Sequence, residues 1–160
     1  MSSQVLRDQA PPAVEAWVGL LRAHAAATRA LNAQLVAEHG LTINDYEALL
    51  HLSRADGNAL RRVDLAGRLL LTASGITRLL DGLERAGYVE KGSCATDARV
   101  TYAVLTEAGR QKLVDASDGH VAAIHELFEE RFDEAELASL AALLGRLPGA
   151  ADAVGETCSP

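Results

Sequence analysis

The segment 65–105 constrains the fold of this chain more than any other part of the sequence. It begins with a short apolar run at helical spacing and breaks at Leu71-Thr72. A second helical run follows over 73–86, and then two strand-like runs around a polar loop. That order predicts a helix, a turn, a second helix and a β-hairpin. Thr72 suits the N-cap of the second helix, because its hydroxyl can accept a hydrogen bond from an otherwise unpaired backbone N–H.

The helix predicted over 73–86 has two chemically different faces. Its core face is predicted by apolar residues that recur every three or four positions: Ala73, Ile76, Leu79 or Leu80, and Leu83. The opposite face carries Ser74, Gly75, Thr77, Arg78 and Asp81. Small hydroxyls and an arginine near a helix N-terminus suit the helix end that enters a DNA major groove, where backbone amides also favour phosphate. We therefore interpret 73–86 as a recognition helix, with DNA contacts from Thr72, Ser74, Gly75, Thr77 and Arg78.

A pair of arginines lies just before the first helix of this segment. Arg61 and Arg62 can contact phosphates there, which fixes the register of a protein on DNA without reading its sequence. The alternative interpretation is a solvated turn. Both arginines are therefore candidate DNA-binding residues.

A hairpin is predicted to follow the recognition helix. Gly87 suits a helix C-cap, the first strand runs over 88–91, and the second strand alternates apolar residues and ends at Leu105. The polar loop 92–99 then forms the tip of the hairpin. Arg99 on this tip can reach a minor groove while the helix occupies the adjacent major groove, and Lys91 adds a second cation. The alternative for Arg99 is an exposed salt bridge with Asp97, and both can hold.

These motifs, in this order and spacing, resemble the MarR family of bacterial winged-helix transcription regulators. The resemblance rests on Leu41-Thr42, Leu65-Ala66, Thr77-Arg78, Leu83-Glu84, Gly87, Asp97-x-Arg99 and Val104-Leu105-Thr106-x-x-Gly109. It implies a dimeric, ligand-responsive DNA-binding repressor with Arg99 in the minor groove. One position departs from the family pattern: the wing often reads Asp-Arg-Arg, and here Ala98 stands in the middle, so one groove or phosphate contact lacks a counterpart.

The charge distribution is compatible with a DNA-binding segment despite a net charge of -7. Residues 54–112 contain ten Lys and Arg against seven Asp and Glu, whereas the rest of the chain contains five against fifteen. The local field rather than the total charge steers a polyanion. We therefore expect double-stranded DNA at the central segment, with the acidic remainder facing away from it.

Long helices are predicted on both sides of the central segment. Apolar stripes run along 13–38 and 107–147, and both are wider than a small DNA-binding head can cover. The simplest partner is a second copy of the chain, which predicts a twofold homodimer and an inverted-repeat operator. The expected fold is mainly α with a small β-hairpin wing. Residues 1–160 form one domain, with a head at 41–105, dimerisation helices at 13–38 and 107–147, and a flexible tail at 148–160.

A small-molecule effector is expected from the resemblance more than from the residues. MarR-like proteins bind aromatic or anionic compounds in the crevice between dimer helices and head. Trp17 could stack on a ring and Arg22 could pair with a carboxylate. Aromatic residues in a helix stripe are, however, more often core. The candidate effector residues are Trp17, Arg22, His24, Tyr46 and His51.

Other functional classes find less support in the sequence. No catalytic nucleophile motif or phosphate-binding glycine loop occurs, so we expect no enzyme and no cofactor. Histidines at 120 and 125 lie on different sides of a helix, which disfavours a metal site. Two alternatives stay open: redox sensing through Cys94, and a winged helix that binds a protein. Two cysteines, no signal peptide and no membrane span predict a cytoplasmic protein.

Overall fold

The computed structural model describes residues 11–94 and 97–149 and confirms a mainly α fold with a small sheet. The first ten residues, the part of the predicted tail 148–160 that begins at residue 150, and Cys158 lie outside the described ranges. The elements are α1 (Pro12–His39), α2 (Ile43–Arg54), β1 (Ala59–Arg61), α3 (Arg62–Arg68), α4 (Ala73–Arg85), β2 (Val89–Ser93), β3 (Thr101–Leu105), α5 (Glu107–Glu129) and α6 (Glu134–Leu144). None of the helices in these ranges is long and apolar enough to cross a membrane.

The helix starts follow their local capping signals. Thr42 accepts from the backbone N–H of Asp45, whose carboxylate in turn accepts from the backbone N–H of Thr42, so a capping box opens α2. Thr106 caps α5 by accepting from Gly109 N at 3.0 Å. The predicted helical region 107–147 is divided into two helices and ends early, since α5 ends at Glu129 and α6 at Leu144. The residues beyond Leu144 include Gly145 and Pro148, which are poor helix formers.

The sheet is antiparallel with strand order β1-β3-β2 and corrects two sequence predictions. The predicted two-stranded hairpin has a third strand, β1, in which Ala59 pairs with Val104. Three residues are too short to show an alternation, and their pairing partner lies far along the chain. The predicted loop 92–99 begins too early, because Gly92 and Ser93 still pair with β3. The wing loop therefore starts at Cys94.

One continuous core joins α1, α5 and the three helices of the head to the sheet. Its most deeply buried side chains come from α1, α2, α3 and α4, namely Leu35, Leu49, Leu52, Leu65 and Leu80. Val89 and Leu105 bring β2 and β3 into the same cluster. By contrast, α6 buries none of its residues within the chain, and α1 buries only Leu35. The core therefore positions α4 and the wing, while the terminal helices keep much of their apolar surface exposed.

Candidate nucleic-acid interface

The structure places α4 with one face in the core and the other in solvent. Ile76, Leu80 and Leu83 are buried, as the spacing predicts. Ala73, which was assigned to the core face, is exposed. It occupies the first turn, where the helix projects beyond the core. The exposed residues of α4 therefore include its N-terminal turn, the part best placed to enter a groove.

The start of α4 is held by a compact set of hydroxyl contacts. Thr72 Oγ1 accepts a hydrogen bond from Gly75 N at 3.1 Å and lies 3.2 Å from Ser74 Oγ. Gly75 is half-buried, and a Cβ atom there would lie only 3.2 Å from Thr72 Oγ1 and 3.6 Å from Leu71 Cβ. This close packing of the turn accounts for a glycine at this position. The hydroxyls of Thr72 and Ser74 are left on the exposed side.

Arg78 and Thr77 occupy the exposed face one turn further along. Within the described ranges Arg78 is exposed and makes no hydrogen bond or ion pair. Thr77 Oγ1 donates to Ala73 O at 2.8 Å and accepts from Arg62 Nη2 at 3.1 Å. Arg62 thus links α3 to α4, and its guanidinium group lies beside the exposed face of α4.

Arg61 is not an isolated cation in this structure. Its Nε and Nη2 atoms lie 2.6 and 3.1 Å from the two carboxylate oxygens of Asp64, a bidentate pair at the start of α3. Sequence reasoning missed Asp64, although its three-residue spacing from Arg61 in a helical segment could have indicated the pair. The pairing offsets much of the positive charge that Arg61 presents to solvent.

The wing presents its two candidate cations differently. Lys91 Nζ on β2 lies 3.4 Å from Glu84 Oε2 and so ties the wing to α4. Arg99 is exposed in the loop after Asp97, whose carboxylate accepts from the backbone N–H of Arg99 at 2.9 Å. The ion pairs of the described residues do not include the Asp97–Arg99 salt bridge that was considered as an alternative. The carboxylate instead stabilises the loop backbone.

The candidate effector residues do not gather at one place in the single chain. Trp17, Arg22 and His24 are exposed on α1, and the surface depression beside Arg22 is lined by α1 residues alone. Tyr46 is buried on α2, with its hydroxyl 3.2 Å from Ser117 Oγ. Within the described residues no cluster of three or more His, Cys, Asp and Glu side chains could hold a metal ion.

Burial shifts the titration of three groups along α2 and α5. The pKa of His51 is lowered by burial and by the nearby Arg68 and Arg54. Burial raises the pKa of Glu47, an effect that His24 opposes. Burial also lowers the pKa of His120, whose ring lies 4.5 Å from the Tyr46 ring. These groups belong to α2 and α5 and are not part of the exposed face of α4.

Comparisons with known proteins agree with this arrangement. A model of the MarR family matches residues 39–100, which include α2, α3, α4 and β2. The transcriptional repressor YetL of Bacillus subtilis is 34% identical over 98 residues. This match covers 61% of the chain and 59% of YetL, less than two thirds of that relative.

Solved structures extend the similarity to the terminal helices. AbsC, a MarR family transcriptional regulator from Streptomyces coelicolor, is 30% identical with a TM-score of 0.75, over 86% of this chain and 93% of AbsC. Sco3205, a MarR family transcriptional regulator from the same organism that was crystallised in complex with DNA, is 26% identical with a TM-score of 0.76. That alignment covers 86% of this chain and 88% of Sco3205. The similarity is thus not confined to the head.

Proposed function

This chain belongs to the MarR family of transcriptional regulators, and on that premise we propose that it is a sequence-specific repressor that binds DNA as a homodimer. The family and the fold indicate a regulator rather than an enzyme. The observation that carries the proposal is the exposed polar face of α4, with Arg78 at its centre, on a scaffold similar to that of a relative crystallised with DNA.

In the proposed complex the N-terminal half of α4 enters the major groove. Thr72, Ser74, Thr77 and Arg78 meet base edges or phosphates, and the side chain of Arg99 enters the adjacent minor groove. Lys91 and Arg62 contribute positive charge beside these groups. Arg61 contributes less than its position suggests, because Asp64 already holds its guanidinium.

A second copy of the chain would complete the molecule. Trp17, Leu21 and Val14 on α1 are each about half exposed or more, and so are Leu143 and Leu147 near the C-terminus. We propose that α1, α5 and α6 pair across a twofold axis and that 41–105 forms the DNA-binding head. Twofold symmetry would place two copies of α4 on one face of the duplex and require an inverted-repeat operator.

We further propose that a small molecule releases the protein from DNA. An aromatic anion would bind between α1 and the head, where Trp17 can stack and Arg22 can pair with a carboxylate. The ligand would lower operator affinity only by the difference in its affinity for the two arrangements of the heads. Titration of the protein–DNA complex with small aromatic carboxylates, using wild type and Arg22→Ala, tests this. Release of both proteins at the same ligand concentration would exclude Arg22.

A mobility-shift assay tests DNA binding itself. The probe is the DNA immediately upstream of the coding sequence, compared with an unrelated duplex at about 50 and about 200 mM salt. We expect Arg78→Ala to cost about 1 to 3 kcal/mol and to relax specificity. The matched control is Arg85→Ala, which removes an exposed arginine from the last turn of the same helix, where it contacts Asp81 O. Equal loss in both variants, or no retardation by wild type at low salt, would contradict the proposal and favour a protein-binding role.

The alternative of redox sensing through Cys94 is tested separately. Cys94 is half-buried at the start of the wing loop. If oxidation of its thiol controlled DNA binding, peroxide would release wild type from the probe and leave Cys94→Ser bound. Equal responses of the two proteins would exclude this role.

A further inference from the structure

Leu70, in the turn between α3 and α4, combines two unusual properties. Its backbone has a φ of +54°, in the left-handed region that leucine rarely adopts. Its side chain is 92% exposed, the largest value among the exposed large hydrophobic residues of the described ranges. The side chain therefore contributes almost no packing within the chain in return for the strained backbone.

Two other helix ends in the molecule show what this position ordinarily takes. α1 ends at Gly40 with a φ of +66°, and α4 is followed by Gly87 with a φ of +77°. α3 ends with the same pattern of hydrogen bonds as α4, since Leu70 N donates to Gly67 O at 3.2 Å and Leu71 N donates to Ala66 O at 2.9 Å. Glycine would satisfy this end without strain. A leucine here is therefore best explained by what its side chain does outside the chain.

The position of Leu70 in the chain indicates which molecule its side chain contacts. It lies two residues before Thr72, the N-cap of α4, and so within about 7 Å of it along the backbone. Leu69 is buried and Leu71 packs against the core, so the backbone cannot rotate without opening the core. The exposed side chain is thus fixed beside the end of α4 that we propose enters the groove.

The size of the exposed apolar surface distinguishes a protein partner from DNA. Arg68, Thr72 and Ser74, which are close to it in the sequence, are exposed and polar. A protein-docking surface requires a contiguous apolar patch of several hundred Å². A lone leucine in polar surroundings instead matches a single apolar group, and the major groove offers one such group, the 5-methyl of thymine.

We propose that Leu70 is a specificity-determining residue that contacts a thymine 5-methyl group in each half of the operator. This inference rests on the proposed function. The strained turn holds the side chain at a constant distance from the hydroxyls of Thr72 and Ser74. Backbone strain retained at a binding surface is the pattern expected of a functional position.

The experiment compares thymine with uracil, which differs only in lacking the methyl group. Wild type is used to select its tightest duplex from a random-sequence library, and each thymine is then replaced by uracil. We expect one symmetry-related pair of positions to weaken binding by about four-fold per methyl, the value of one buried CH₂ group. In Leu70→Ala the thymine and uracil duplexes should bind equally. Val63→Ala, which truncates an exposed apolar side chain on the neighbouring helix α3, should retain the wild-type preference.

A second variant separates the contact from the fold of the turn. Leu70→Asn places a residue that tolerates the left-handed conformation at this position. It should melt at or above the wild-type temperature and still lose the preference for thymine. Persistence of that preference in both Leu70 variants, or its absence in wild type, would overturn the inference while leaving DNA binding intact. Failure of wild type to recover any duplex would instead overturn the proposed function.

Discussion

The head buries its apolar side chains within one chain, whereas the terminal helices leave many of theirs exposed. In the head, residues such as Leu49 and Leu65 are fully buried by contacts within one chain. On the terminal helices, Trp17 is 58% exposed and Leu143 is also 58% exposed. Both regions contain helices with side-chain N-caps, α2 and α4 in the head and α5 and α6 among the terminal helices, so the difference does not come from helix formation.

The difference teaches that helix stability and burial are separable in this chain. α6 has a complete capping box between Asp133 and Glu136 and yet buries no residue. A short isolated helix is marginal in water, because most helical stability in proteins comes from packing an apolar face. The core of the head is therefore closed within one chain, with Leu35 of α1 and Leu113 of α5 as part of it. We predict that the exposed stripes of the terminal helices pack against a second copy of the chain.

The largest expected effect comes from placing a charge on the exposed stripe. Leu21→Asp on α1 should weaken dimerisation by about 3 kcal/mol or more, at least about a hundred-fold in Kd, because each of the two copies would bury a carboxylate. Sedimentation equilibrium over a range of concentrations measures this. Val63→Asp is the matched control, since Val63 is even more exposed but lies on the head. A Leu21→Asp protein as dimeric as wild type would show that α1 does not cover its stripe with a second copy.

The next largest effect lies in the head core. Leu49→Ala should lower the free energy of unfolding by about 2 to 5 kcal/mol per chain, because Leu49 is 0% exposed and its removal leaves a cavity. Urea unfolding at two protein concentrations should give the same loss at both. Leu144→Ala on α6 is the counterpart in the terminal helices. Its loss of unfolding free energy should become smaller on dilution, because we expect Leu144 to be covered only in the dimer. A concentration-dependent loss for Leu49→Ala would mean that the head is not closed within one chain.

The parts of the fold that could be predicted from sequence depend on nearby residues. Thr42, Thr72 and Thr106 each accept from a backbone N–H three residues later, so the start of each helix is encoded locally. β1 could not be predicted, because it exists only through pairing with β3. The exposure of Ala73 could not be predicted either. Periodicity shows which side of a helix faces the core, but it does not show how far along the helix the core extends.

The candidate interface was predictable in its residue types and less so in their contacts. Helical spacing placed Arg78 on the exposed face of α4, where the structure has it. The bond between Arg62 and Thr77 joins two elements whose packing the sequence does not specify. Leu70 could have been noticed as the middle of three consecutive leucines in a turn, of which not all can be buried. Its left-handed backbone becomes evident only in the structure.

The two capping boxes, one in the head and one on a terminal helix, allow the two regions to be compared through a smaller change in stability. Thr42→Ala removes the cap of α2 in the head, and Asp133→Ala removes that of α6. Each should cost about 1 kcal/mol of helix stability. We expect the first to lower the free energy of unfolding at every protein concentration, and the second to act only through dimerisation. Urea unfolding and sedimentation of the same samples distinguish these effects, and an equal loss at high dilution would contradict the separation of the two regions.

The smallest effect is expected at the junction of the two regions, where His120 of α5 packs on Tyr46 of α2. Burial lowers the pKa of His120 below 6.5 in the folded state, so the unfolded chain takes up a proton at higher pH than the folded chain does. The stability that the neutral ring contributes is therefore complete above pH 6.5 and is lost progressively as the pH falls below it. Urea unfolding between about pH 5 and pH 8 should show a decline that is shallower in His120→Phe, which keeps an aromatic ring against Tyr46. His51→Gln serves as the counterpart within the head, because the pKa of His51 is lowered too. An unchanged slope in His120→Phe would mean that this ring is solvated, and that the terminal helices do not seal the head at this contact.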